Sequence, residues 1–170
     1  YKPVKGLALK AVYGQQRYDF DSRIINGAGI VRGLDGEVSL NELVKPWSEK
    51  PLKVTLGGSF VSKYQAGETF ERDSTVFALP NNVAATGARL GIVYKNLQFT
   101  GEYVTKINDP NADNGYIYKK GESIFINGAF SKKGFGLTAS AKYVDNMAFR
   151  SDRDALLFDV PINFLPAITR

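Results

Sequence analysis

Cysteine and histidine are both absent from this 170-residue chain. Without cysteine there are no disulfides and no thiolate metal sites, and without histidine the commonest general base and metal ligand is gone. Together the two absences disfavour most enzyme classes with a recognisable sequence signature. The reading is therefore of a non-enzyme, with no catalytic residue and no cofactor assigned. Long apolar runs are lacking too: no stretch approaches the ~20 residues that a membrane-spanning helix needs. That argues against a helical membrane protein but not against a barrel, whose strands need only ~10 alternating residues. Methionine and tryptophan occur once each, while nine Tyr, eleven Phe and seventeen Gly give an all-β profile. The net charge is +5 with a pI near 9.3, but the charges are scattered through alternating runs and loops. No basic patch stands out, so a nucleic-acid partner is not expected. The chain starts at Tyr1 without Met or a signal peptide, as expected of a mature product or a piece of something longer.

What is present is alternation. In residues 123–145, Ile124, Ile126, Gly128 and Phe130 point one way while Ser123, Asn127 and Ser131 share the other face with Phe125. After Lys132-Lys133-Gly134, a second run places Phe135, Leu137, Ala139, Ala141 and Tyr143 on one face and Thr138, Ser140 and Lys142 on the other. Period two with a short glycine-containing connection predicts a β-hairpin. Residues 82–104 repeat the pattern, with a two-residue turn at Lys95-Asn96. Further alternating runs cover 5–14, 29–42, 52–64 and 156–164, which makes about eight strands. Arg32 falls on the apolar face, so the start of its strand should lie at a membrane edge or carry a bulge. Residues 44–51 contain two prolines and read as a turn, with Trp47 placed to anchor at an interface. Residues 15–26 and 65–82 read as exposed connections, 105–122 as another long polar loop and 146–154 as a loop.

Long and short connections alternate along the chain, as they do in a transmembrane barrel with turns on one side and loops on the other. Aromatics gather where strands meet turns: Tyr94, Phe130 and Phe135 near one end, Tyr13, Tyr64, Tyr103 and Tyr143 near the other. Such girdles bracket the apolar band of a lipid-facing sheet. The expected fold is thus an antiparallel up-and-down transmembrane β-barrel, with residues 1–170 forming a single barrel segment and no second domain. Lys10, Glu37, Arg89, Glu102, Asn127, Lys142 and Asp159 are expected to line the lumen. Leu90, Ile92, Phe99, Ile126, Leu137 and Val160 are expected to face lipid. The expected function is a pore or a structural component of an envelope assembly in the bacterial outer membrane. Its partners would be the lipid bilayer and other envelope proteins. The alternative is a soluble β-barrel or sandwich that binds a ligand, such as a carbohydrate, through loops bearing Trp47, Tyr116 and Tyr118.

Few constellations suggest a site. Asp109, Asn111 and Asp113 offer hard oxygen ligands at alternate positions, as calcium loops do, but Gly115 comes one residue late and no carboxylate follows at the required distance. Turn formation explains the same residues. Arg150, Asp152, Arg153 and Asp154 read as a solvated ion-pair cluster. Gly33 and Gly36 do not form a phosphate loop, because they lie inside an alternating run with no Lys-Ser/Thr after them.

The stretches KGLALKAVYGQQR, GIVRGLDGEVSLNEL, KVTLGGSFVSKYQ, INDPNADNGYIYKKGE, VDNMAFRSDRD and INFLPAITR resemble successive blocks of a family of porin-like Bacteroidota outer-membrane β-barrel proteins known only as a domain of unknown function. The resemblance covers nearly the whole chain, and its polar loop blocks are more specific than its strands. It implies members several hundred residues long, with further strands before and after this segment, so that the chain is an internal part of a larger barrel. It carries over no functional residue.

Overall fold

Strict alternation over eight to thirteen residues leaves one side of an extended chain apolar and the other hydrated, and among the described residues seven stretches fold on that basis. A computed structural model describes residues 1, 3–15, 17–20, 23–26, 29–67, 69–110 and 114–147. In chain order the strands are β1 (Leu7–Gly14), β2 (Arg17–Phe20), β3 (Arg23–Asn26), β4 (Ile30–Ser39), β5 (Leu52–Tyr64), β6 (Thr69–Arg72), β7 (Thr75–Ala78), β8 (Asn82–Tyr94), β9 (Leu97–Ile107), β10 (Gly121–Lys132) and β11 (Phe135–Asp145). Seven of them form one antiparallel sheet in the order β1-β4-β5-β8-β9-β10-β11. Each long strand pairs with the long strand before and after it in sequence, so the sheet is a meander. The pairs β2–β3 and β6–β7 are separate two-stranded ribbons inside the long links. The fold is all-β and antiparallel, and its described part is an open sheet with β1 and β11 at its edges.

The register fixes which residues share a face. Leu56 pairs with Val38 and Leu90, Leu90 with Gly101, Gly101 with Ile126, and Ile126 with Ala141. This apolar row has a hydrated neighbour, one residue along every strand: Glu37, Gly57, Arg89, Glu102, Phe125 and Lys142 pair in succession. The strand ends also drift. At the end bearing the long links, pairing reaches Asn82 opposite Tyr64 on β8 and β5, whereas on β9 to β11 the row that closes the sheet is Thr105, Glu122 and Asp145, which falls opposite Thr86. Along β8 that is a shift of four residues. At the other end the last β4–β5 pair, Ser39 with Thr55, lies in the row of Asn127, but the β10–β11 ladder runs on to Lys132 and Phe135. The sheet is therefore staggered in one direction.

The short connections are built locally. Ser39 leads into one helical turn, α1 (Leu40–Leu43), followed by a 3-10 turn over Lys45–Trp47. Asn41 fastens this corner: its buried carboxamide donates to the carbonyls of Trp47 at 2.8 Å and Leu52 at 2.7 Å and accepts from the Val54 amide at 2.9 Å. The β8–β9 and β10–β11 turns have two residues each, with Lys95 (φ 51) and Gly134 (φ 81) in the left-handed region.

Several expectations need correction. Residues 40–42 are helical rather than strand, because Asn41 finds backbone partners in the corner that a ladder position would deny it. The segment 65–82 is not a plain exposed loop: it contains β6–β7, contributes buried Leu79, and already enters β8 at Asn82. Its ribbon turns at Asp73 and Ser74, both at positive φ. The 15–26 connection likewise contains β2–β3, and β9 extends past Val104 to Ile107. The turn after β10 is Lys133-Gly134, since Lys132 still pairs with Phe135. No bulge occurs at Arg32: the β4–β5 ladder runs evenly through it, and its guanidinium lies 6.0 Å from the Tyr64 ring near the long-link end. Residues 156–164, the expected eighth strand, lie outside the described residues.

Only Leu79, Val83, Ala84 and Met147 are buried hydrophobics among the described residues, and all lie toward the long-link end. Over the rest of the sheet the apolar face stands open, with Leu34 57% and Leu137 59% exposed.

Candidate functional site

The hydrated face of the sheet is where the side chains form a connected arrangement. Arg89 projects from β8 and stands opposite Gly57 on β5. A Cβ on Gly57 would lie 2.9 Å from both Nε and Nη2 of Arg89, so glycine at that position leaves the guanidinium a path across β5. Arg89 uses it to reach β4, donating from Nη2 to Asp35 Oδ1 at 2.6 Å and from Nη1 to the Ser59 hydroxyl. Ser59 in turn donates to Asp35 Oδ1 at 2.8 Å, and Lys10 Nζ on β1 lies 3.6 Å from Asp35 Oδ2. Four strands are thereby joined by one charged network that is partly open to solvent. Charge-assisted hydrogen bonds of this kind hold geometry more firmly than neutral ones.

Beside the network runs a groove of about 470 Å³, lined among others by Glu37, Thr55, Arg89, Gln98, Glu102 and Phe125. Glu102 faces Arg89 across the β8–β9 ladder, and Glu37 faces Gly57 across β4–β5. Phe125 stands opposite both Glu102 and Lys142 and is the single aromatic on this face among the described strand residues. The groove can order water and polar solutes along a row of alternating charge.

Toward the long-link end the same face carries Lys106, which has no exposed side-chain surface and pairs with Asp109 Oδ2 at 2.9 Å. Asp109 is the described member of the calcium candidate, and its carboxylate is engaged by this lysine; Asn111 and Asp113 lie outside the described residues. Among the described residues no group of three or more acidic side chains could hold a metal ion. The links also pack on one another: Phe70 and Tyr116 stack with ring centroids 3.7 Å apart, and the Tyr118 hydroxyl donates to the Ala78 carbonyl at 3.2 Å. Lys120 Nζ donates to Glu122 Oε1 at 2.5 Å, a contact that raises the lysine pKa above its ordinary value.

Of the residues expected to line a lumen, Lys10, Glu37, Arg89, Glu102, Asn127 and Lys142 share this face by register, and Asp159 lies outside the described residues. Leu90, Ile92, Phe99, Ile126 and Leu137 share the opposite face, and Val160 lies outside the described residues. The Arg150, Asp152, Arg153 and Asp154 cluster is outside them as well. On the apolar face Tyr94, Leu97, Phe130 and Leu137 form one row at the short-turn end, with Lys95 5.3 Å from the Tyr94 ring and the Phe130 and Phe135 rings 6.4 Å apart. Trp47 is half-buried in its turn beneath Lys50, 5.5 Å from the ring.

Sequence reasoning missed Asp35 as the centre of the charged network. It also missed that Lys106 is buried. The signal for the first lay in the two facing runs 29–42 and 82–94, but only the register through β5 brings Asp35 under Arg89. No match was found among curated proteins or among solved structures. A family model does match, over residues 1–170, and the chain accordingly belongs to the family of unknown function DUF6029.

Proposed function

We propose that this sheet is a section of the wall of a transmembrane β-barrel in a bacterial outer membrane, with its apolar face against lipid and its hydrated face lining a lumen. The protein would act as a pore or as a structural component of an envelope assembly. Its partners would be the bilayer and other envelope proteins, and no chemistry is assigned to any residue. The observation that carries this reading is the apolar face itself: row after row of Leu, Ile, Val and Phe is open, with no second layer packed on it among the described residues. A water-soluble monomer rarely exposes more than a few hundred Å² of contiguous apolar surface. Lipid removes the penalty.

Three further features support the reading. Strands β5, β8, β9, β10 and β11 are 11 to 13 residues long, enough to cross a hydrocarbon core when tilted, for which ~9–11 are needed. The one-directional stagger of the ladders is what a tilted, closing sheet requires. Two two-residue turns and the α1 corner at one end, and longer links, two of them bearing ribbons, at the other are in keeping with the two unequal sides of an outer-membrane barrel. In hydrocarbon every backbone group must be paired, so β1 and β11 call for neighbouring strands, and closure is expected in a larger barrel. By contrast, two of the three loop aromatics on which a soluble sugar-binding reading depends have partners within the chain, Tyr116 on Phe70 and Tyr118 at the Ala78 carbonyl.

Spin labels placed singly at positions 90, 92, 99, 126 and 137 of the reconstituted protein test the proposal. The expected result is collision with oxygen and none with an aqueous nickel reagent. Protection from both, as in a dry protein core, would overturn it.

A further inference from the structure

The hydrated face changes character along its length. At mid-sheet Glu37, Gln98, Glu102 and Lys142 are exposed, whereas toward the long-link end Lys63, Val83, Lys106, Gly121 and Ser123 are buried on the same face. Residues of two links cover Lys106 and Gly121. After β9, Asn108 adopts a left-handed conformation (φ 56) and turns the chain back, so that Asp109 meets Lys106 and Pro110 is itself fully buried. After β11, Asn146 does the same (φ 50), and its carbonyl and the Met147 sulfur come to rest on Gly121. A Cβ on Gly121 would run into the Asn146 carbonyl oxygen, so this seat accepts glycine alone without rearrangement. Asn114 ties the two links together, donating from Nδ2 to the Asp109 carbonyl at 2.8 Å and to Asn146 Oδ1 at 3.2 Å. Asn146 Nδ2 donates to the Lys119 carbonyl at 2.7 Å.

We infer that the described residues of these links, 108–110, 114 and 146–147, form an inward-folded constriction over the hydrated face, latched by Lys106 and Asp109 and seated on Gly121. On the reading of this face as a lumen, the constriction narrows the mouth on the long-link side and sets the largest polar solute admitted. The groove at Arg89 and Glu102 then lies behind it rather than at the opening. A salt bridge buried to this degree suits such a latch: separating its charges in a desolvated place is costly, so the closed arrangement is held firmly.

The natural absence of cysteine makes the test direct. Single cysteines are introduced by Ser123→Cys, beneath the links, and by Thr138→Cys, exposed on the same face, in the reconstituted protein. With a membrane-impermeant maleimide applied from both sides, position 123 is expected to react at least about tenfold more slowly than position 138. Adding Gly121→Val, which unseats Asn146, or Asp109→Asn, which weakens the latch and keeps the side-chain shape, should reduce that gap to about threefold or less. Equal rates at 123 and 138 in the otherwise native chain would overturn the inference. So would a gap unchanged by both second-site variants. Failure of the lumen reading is scored separately, by liposome swelling in a graded series of sugars: a labelling gap without sugar entry in any variant keeps the inward fold and removes the pore.

Discussion

Replacing Asn41 by alanine removes the fastening of the α1 corner, and the cost follows from its contacts. The carboxamide makes three hydrogen bonds, all to backbone groups at 2.7 to 2.9 Å, from a side chain that is nearly fully buried. A typical intramolecular hydrogen bond contributes about 0.5–1.5 kcal/mol net, so three amount to about 2–4 kcal/mol. Water can reach the Trp47 and Leu52 carbonyls once the side chain is gone, which places the expected loss near the lower end, about 2 kcal/mol. Asn41→Leu should cost about the same, since it fills the volume but satisfies none of the three groups. Asn41→Asp should cost more at neutral pH, because a carboxylate would face two carbonyl oxygens without a proton to offer. The measurement is urea unfolding of the protein in detergent micelles, followed by fluorescence. Trp47 is the single tryptophan and sits in this corner, so its emission reports the event directly. Were Asn41→Ala to unfold within about 0.5 kcal/mol of the native protein, the corner would not depend on this side chain and the reasoning would be refuted.

Other outcomes follow from the same geometry. Arg89→Gln removes one cation from beside Asp35, Glu37 and Glu102 and should make bilayer conductance more cation-selective, while Asp35→Asn should shift it the other way; identical reversal potentials would mean the face lines no conducting path. Lys95→Gly relieves a left-handed backbone at a two-residue turn and should raise the urea midpoint by the equivalent of about 1 kcal/mol. Gly134→Ala imposes the same strain on the partner turn and should lower the midpoint by a similar amount, about 1 kcal/mol. Asp109→Ala removes the carboxylate that lies 2.9 Å from a lysine with no exposed side-chain surface and should lower stability by about 1–3 kcal/mol, read from the same unfolding curves.

The long strands were legible because their alternation is a local property: β5 spans the residues that period two assigns, and the turn at Lys95-Asn96 is marked by the sequence itself. Face membership was legible for the same reason, since registers pair like faces once the strands are antiparallel. The connections were not. Polar composition marks 15–26 and 65–82 as exposed, but it does not distinguish a bare loop from one that folds into a two-stranded ribbon, because a short ribbon buries too little to leave a pattern. Asn41 looks like any hydrated strand residue until the corner supplies its three backbone partners. Lys106 and Asp109 look like the polar end of a strand and a turn residue. Only tertiary folding of the links makes them a buried pair, and nothing in their spacing separates that outcome from an exposed one.

The meander has a consequence for growth. Every ladder in the main sheet joins strands adjacent in the order of the long strands, so no pairing spans an intervening one. A hairpin inserted between β8 and β9, or added at either edge, would alter only the ladders it touches and would leave the other registers as they stand. Two arrangements would resist such duplication: the charged network, since Arg89 must cross β5 over Gly57 to find Asp35, and the seat of Asn146 on Gly121, which needs β10 and β11 side by side. Outside those strands, circumference can change by whole hairpins.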